Sequence, residues 1–162
     1  MSADRLPTLD CACASLRRAA RAVTRAYQSE LRNSKLRVTQ FTLLQALERM
    51  GTSPQSALGE LLALDSTTLS RTLRPLERAG WIRAGEGTDQ REVRWSLTPA
   101  GRRLLARAKP AWQRAQARLR AGLLPAHWKM LIDDLPTVAA VAAVTVTPEV
   151  DGGPDELKRG IH

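Results

Sequence analysis

Histidine is almost missing from this 162-residue chain: there are two, and one of them, His162, is the last residue. That leaves no credible Ser–His–Asp arrangement and too few ligands for a catalytic zinc. Cysteine is equally scarce, and Cys11 and Cys13 do not make the disulfide framework of a secreted mini-domain. Aromatic residues are 4% of the chain against 43% hydrophobic residues, and alanine and leucine are abundant, which favours helix over sheet. No apolar run reaches the roughly 18 residues that span a bilayer. The apolar stretch Val138 to Val146 is about half as long as that, and residues 1–10 are neither basic nor apolar enough for a signal peptide. A cytoplasmic location is therefore expected, with no membrane partner. No glycine-rich phosphate loop precedes a helix; Gly85-Glu86-Gly87 belongs to a hairpin. A non-enzyme without cofactor or metal is the reading these absences favour.

What the chain has in excess is arginine. Lys+Arg is 25 against 16 Asp+Glu, a net charge of +9. The segment Glu149 to His162 holds four acids and two bases, so the remainder carries 23 bases against 12 acids, about +11. A basic body suits a polyanion. Charge alone would also fit an ordinary soluble arginine-rich protein, so the pattern has to decide.

Leu9, Cys13, Leu16, Ala20, Val23 and Tyr27 recur at steps of three and four, one stripe along a long helix flanked by Arg17, Arg18, Arg21 and Arg25. Such a stripe needs a cover. Arg32 to Val38 is a polar connection. Thr39 is the expected cap of a second helix with Phe41, Leu44 and Leu47 inside, and Ser53-Pro54 or Ser56 the expected start of a third with Leu58, Leu61 and Leu62. Asp65 or Ser66 caps the next. There Leu69, Leu73 and Leu76 fall within about 60° of one another at 100° per residue, opposite Thr67, Arg71, Arg74 and Arg78. Pro75 should kink that helix or end its regular part. Gly80 closes it. Trp81 to Arg83 and Val93 to Leu97 read as strands joined by a glycine-containing turn. Thr98-Pro99 opens a long helix to about Ala121 with a bend expected at Pro110. A last helix, Ala126 to Val144, is expected to be interrupted near Pro136.

A hydroxyl- and arginine-bearing helix followed by a hairpin is the order a winged helix-turn-helix needs: one helix for the major groove and a wing for the flanking minor groove. The run Asp65-Ser-Thr-Thr-Leu-Ser-Arg, then Leu76-Glu-Arg-Ala-Gly-Trp-Ile, Asp89-Gln-Arg and Leu97-Thr-Pro-Ala-Gly101, resembles the MarR family of bacterial transcriptional regulators, and the similarity extends to Leu36-Arg-Val-Thr-Gln-Phe. It covers roughly residues 9 to 145. The resemblance implies a mainly α fold, a winged helix-turn-helix with a helical dimerisation domain. It further implies a homodimeric repressor whose first and last helices form the dimer interface, released from DNA by a small molecule or an oxidant. The expected division is 36–98 for the winged helix-turn-helix, 9–32 with 99–145 for dimerisation, and flexible tails at 1–8 and 147–162. Pro75 and the Cys11-x-Cys13 pair are not general features of the family and suggest a subgroup.

Thr67, Ser70, Arg71 and Arg74 are the base-reading candidates, since arginine pairs bidentately with guanine and threonine can touch a thymine methyl. Ser66 and Thr68 suit phosphates. Arg91 fits a narrow, electronegative minor groove, and Arg83 and Arg94 suit phosphates; the resemblance gives Asp89 the role of orienting the basic wing. A solvated charged face is the blander alternative. Phe41, Trp112 and Trp128, with Arg17 or Arg21 for a carboxylate, are candidates for a small-molecule effector pocket, although plain core packing explains the aromatics more simply. Cys13 lies on the apolar stripe and Cys11 points the other way. Structural thiols, a redox pair and a metal site missing its third ligand all remain open, the first being the simplest. Three functions stand side by side: an effector-released repressor on a palindromic double-stranded operator, with a Cys11/Cys13 redox-sensing variant; a non-specific architectural DNA-coating protein; and a winged helix that contacts proteins.

Overall fold

The computed structural model describes residues 6–86 and 92–144. The expected wing-tip residues Asp89 and Arg91 and the expected tail 147–162 lie outside the described residues. The chain divides into two compact units, Met1–Leu124 and Pro125–His162.

In the first unit, α1 runs Ala12–Leu31. Only the end of its stripe is covered: Tyr27 and Leu31 are buried, whereas Leu9 and Leu16 are 42% and 41% exposed. Two polar ties hold α1 to α5 (Pro99–Ala121). The Tyr27 hydroxyl donates to Gln116 Oε1, and the Glu30 carboxylate takes Arg114 at 3.2 Å and Arg118 at 2.8 Å. Burial pushes the Tyr27 hydroxyl pKa up.

The second helix, α2, spans Val38–Met50 and corrects the expected cap. Arg37, not Thr39, holds the N-cap position, because Gln40 at the third helical position turns back to accept the Arg37 N–H at 2.9 Å. This start places Phe41, Leu43, Leu44 and Leu47 in the core. At Ser53-Pro54, one of the two expected starts of the third helix, Pro54 holds the N-cap position of α3. These residues are extended as β1 and pair with β3, and α3 begins one residue later, spanning Gln55–Leu62.

The turn from α3 to α4 (Ser66–Arg78) is closed by Ala63 N–H to Glu60 O and Leu64 N–H to Gly59 O, with Ala63 in the left-handed region at φ 49. Leu69, Leu73 and Leu76 of α4 are all buried, as their spacing requires. Pro75 does not end the helix, which continues to Arg78. Its missing N–H leaves only the Arg71 carbonyl without its usual helical donor, one turn from the end. Burial of Leu76 and the closing bonds hold the last turn: Trp81 N–H to Leu76 O at 3.0 Å and Gly80 N–H to Glu77 O at 2.8 Å. Gly80 takes φ +69, which a side chain would resist.

Strands β2 (Ile82–Glu86) and β3 (Val93–Leu97) form an antiparallel hairpin, with Ile82 opposite Leu97 and Ala84 opposite Trp95. The three-stranded order is β1-β3-β2. Ile82, Trp95 and Leu97 close the core from this side. Helix α5 starts with Thr98 as N-cap, its hydroxyl accepting from Gly101 N–H at 3.1 Å, and passes through Pro110 without a break.

In the second unit α6 is Pro125–Lys129 and α7 is Leu135–Val144. The expected interruption near Pro136 is a π-type turn, Met130–Asp134, in which the Leu135 N–H reaches the Met130 carbonyl. It widens the helix just ahead of a residue whose ring would strike a normal turn. Val138, Val141 and Val144 are 46%, 60% and 80% exposed. Among the described residues no helix is long and apolar enough to cross a membrane.

Candidate nucleic-acid interface

Helix α4 is amphipathic in an unusual sense: its polar side is almost entirely hydroxyl and guanidinium. Thr67, Arg71, Arg74 and Arg78 are exposed on it, and among the described residues none of these arginines joins an ion pair. Their guanidinium donors are thus not taken up by a carboxylate, as contact with base edges and phosphates requires. Ser66 is exposed in the first turn.

The start of α4 is set by Asp65. Its carboxylate accepts the Thr68 N–H at 2.9 Å and the Thr68 hydroxyl at 2.6 Å. The Thr68 hydroxyl bond, then its N–H bond, lowers the Asp65 pKa below the usual carboxylate value. A depressed folded-state pKa means the cap contributes at neutral pH and is lost as pH falls through that value. Asp65→Ala is expected to melt lower than the wild type at neutral pH, and thermal melts of the two should converge in acid. Thr68 thus carries a structural duty beside any phosphate contact.

Ser70 sits at the edge of the exposed face, half-buried, and its Oγ accepts from Gln55 Nε2 at 3.0 Å. Gln55 Oε1 in turn accepts from the Trp95 indole N–H at 3.2 Å. Arg94, proposed for phosphates, pairs with Gly85 near the loop end of the hairpin and is tied there: one guanidinium nitrogen meets Glu92 at 3.1 Å and another meets the Thr52 carbonyl at 3.2 Å. Arg83 is exposed and donates to Ser96 Oγ at 3.2 Å. Asp89 and Arg91 fall outside the described residues.

The remaining candidates lie on several elements. Phe41 and Trp112 stack with centroids 5.9 Å apart at 22°, Phe41 being buried in the core. Arg17 and Arg21 are exposed on α1, and Trp128 belongs to the second unit. Cys11 occupies the N-cap of α1 and Cys13 its first turn; both thiols are free and exposed.

Two features had no signal in the sequence. Gln55 looked like any polar residue near a helix start. The Thr98 hydroxyl donates to the Gly80 carbonyl at 2.7 Å while the Thr98 N–H meets the Trp81 carbonyl at 3.1 Å, so α5 is pinned to the end of α4. The Leu97-Thr-Pro-Ala-Gly101 run hinted at this only through the resemblance.

Residues 36–93 match the sequence pattern of the MarR family. The chain is 39% identical over 94 residues to the HTH-type transcriptional regulator TtmR of Methylorubrum extorquens, covering 57% of this chain and 48% of that protein. It is 28% identical over 83 residues to the uncharacterised HTH-type transcriptional regulator YwoH of Bacillus subtilis, covering 51% and 61%. The chain thus matches only about half the length of these two relatives. Its fold superposes on the transcriptional regulator MosR of M. tuberculosis, solved in complex with DNA, with TM-score 0.78 and 34% identity over 85% of this chain and 100% of that one. A mainly helical winged-helix fold, an Asp65-capped helix with an arginine face and this likeness agree: the chain belongs to the MarR family of transcriptional regulators.

Proposed function

We propose that the protein is a homodimeric, sequence-specific DNA-binding repressor that sits on a palindromic double-stranded operator and is released by a small organic effector. The observation that carries the DNA-binding part is the exposed Thr67–Arg71–Arg74 face, held between the Asp65 cap and the hairpin. The MosR likeness, at 34% identity to a protein crystallised with DNA, supports it. On this reading α4 enters the major groove, and Arg91 of the wing reaches the adjacent minor groove. Selection of bound duplexes from a random pool, followed by footprinting, tests the reading. A palindromic footprint supports it. Uniform coverage supports the architectural alternative, and salt-independent or absent DNA binding supports the protein-contact alternative.

The dimer is proposed from residues 9–32 and 99–145, with 36–98 as the reading head. Its support is the uncovered apolar surface at Leu16 of α1, at Leu9 just before that helix, and on α7 (Val138, Val141, Val144). Sedimentation at micromolar concentration is expected to give a dimer; a monomer there would remove the palindrome argument as well.

For release, a ligand that favours a different spacing of the two α4 helices would shift the population away from the DNA-competent form by its differential affinity. The free, exposed thiols of Cys11 and Cys13 favour a second reading, in which oxidation is the signal. Operator binding under peroxide separates the two. Release of the wild type but not of the Cys11→Ser, Cys13→Ser double variant would establish the thiols as the sensor.

A further inference from the structure

We propose that Gln55 is a positioning residue that sets the angle between the recognition helix α4 and the wing, and so determines whether both can engage one stretch of duplex. The inference rests on the DNA-binding reading above and adds to it a determinant that touches no DNA.

The side chain lies where three elements meet. It is the first residue of α3, directly after β1. Through Oε1 it accepts the indole N–H of Trp95 on β3 at 3.2 Å, and through Nε2 it donates to Ser70 Oγ on α4 at 3.0 Å. The chemistry leaves no freedom in this assignment. An indole nitrogen is a donor only, so the amide oxygen must face Trp95 and the NH2 must face Ser70.

The anchors at either end are stiff. Trp95 is 7% exposed and lies opposite Ser53 of β1 and Ala84 of β2. Ser70 follows Leu69, 1% exposed, on a helix whose other buried residues are Leu73 and Leu76. A rotation of α4 about its axis would carry Ser70 away from Gln55, and a lift of the hairpin would carry Trp95 away. Either movement breaks a half-buried hydrogen bond and leaves a polar atom without its partner. The amide therefore penalises departures from one mutual orientation. Ser70, at the edge of the arginine face, is on this account a register pin rather than a base reader.

The test uses the full-length protein and a duplex selected by the wild type from a random-sequence pool. Gln55→Met keeps the length of the side chain and removes both hydrogen bonds. It is expected to stay folded by circular dichroism and to bind roughly 5- to 30-fold more weakly. In its hydroxyl-radical footprint the flanking protection from the wing should fade while protection at the centre of each half-site persists. Trp95→Phe should give the same pattern, and the double variant should be little worse than either single one. Gln55→Glu accepts from both the indole N–H and the Ser70 hydroxyl, so it should keep the wild-type footprint shape even if its charge lowers affinity. Equal loss of central and flanking protection in Gln55→Met, or additive losses in the double variant, would overturn the positioning role. A wild type that protects no duplex would overturn the DNA-binding reading, and this inference with it. Wild-type binding with an unchanged Gln55→Met footprint would overturn this inference alone.

Discussion

Arg71→Ala is expected to weaken binding to the operator by about 1–3 kcal/mol, roughly 5- to 150-fold, and to relax base preference at one or two positions of each half-site. Asp65 fixes where α4 begins, and Leu69, Leu73 and Leu76 fix which side faces inward. Arg71 then has only one direction to point, and it is exposed there. A guanidinium so placed can pair bidentately with one guanine, and alanine offers nothing in exchange. Folding should be little affected, because the side chain is exposed. Arg91→Ala should differ in kind, with weaker binding, smaller sequence effects and most of the loss on flanking A·T-rich DNA. Competition binding against a panel of single-base operator variants reads both. If both substitutions leave affinity at the wild-type level, the recognition surface has been misassigned.

Gly101→Ala is expected to be the most damaging small substitution in the molecule. A Cβ at this position would fall on the carbonyl oxygen of Trp81 and lie 2.9 Å from the carbonyl carbon, and both are backbone atoms that cannot swing aside. The close approach has a purpose in the fold. Thr98 caps α5 through Gly101 N–H, and the same hydroxyl and its N–H hold the carbonyls of Gly80 and Trp81. Forcing the two segments apart breaks that pin at the point where α4 hands over to the hairpin. Overpacking of this kind costs about 3 kcal/mol, roughly a 10 °C fall in Tm for a domain of this size. Thermal melts measure it. The bulk of the loss should appear in DNA affinity as well, since the pin sits at the end of the recognition helix.

Most of the path from residues to fold was legible because α4 obeys a simple geometry. Leucines at three- and four-residue steps and arginines opposite them define a buried and an exposed side without any tertiary knowledge. Asp65, Gly80 and Thr98 are strong local signals, and each does what its chemistry suggests. Local signals failed where a distant partner decided the outcome. Ser53-Pro54 reads as a helix start, and Pro54 does cap α3, but nothing local announces that the pair also forms a ladder with β3. At Thr39 two local signals competed: it is a good cap residue, yet its neighbour Gln40 captured the Arg37 N–H and started α2 earlier. Pro75 is expected to kink α4 or end its regular part; the helix continues to Arg78, where the buried Leu76 and the closing bonds beyond it keep the last turn. The Ser70–Gln55–Trp95 chain was invisible because its members are 15 and 40 residues apart. The candidate effector residues show the same limit from the other side. Spacing alone could not say that Phe41 would stack on Trp112.

The central claim is that two copies of the α4 face, coupled through a dimer, read two half-sites. Hydroxyl-radical footprinting of the full-length protein on a duplex it selects from random sequence tests this most directly. Two symmetric protected half-sites, centred about 34–36 Å or one turn of DNA apart, with weaker flanking protection from the wings, are the expected result. A single asymmetric half-site, or continuous protection without sequence preference, would contradict it.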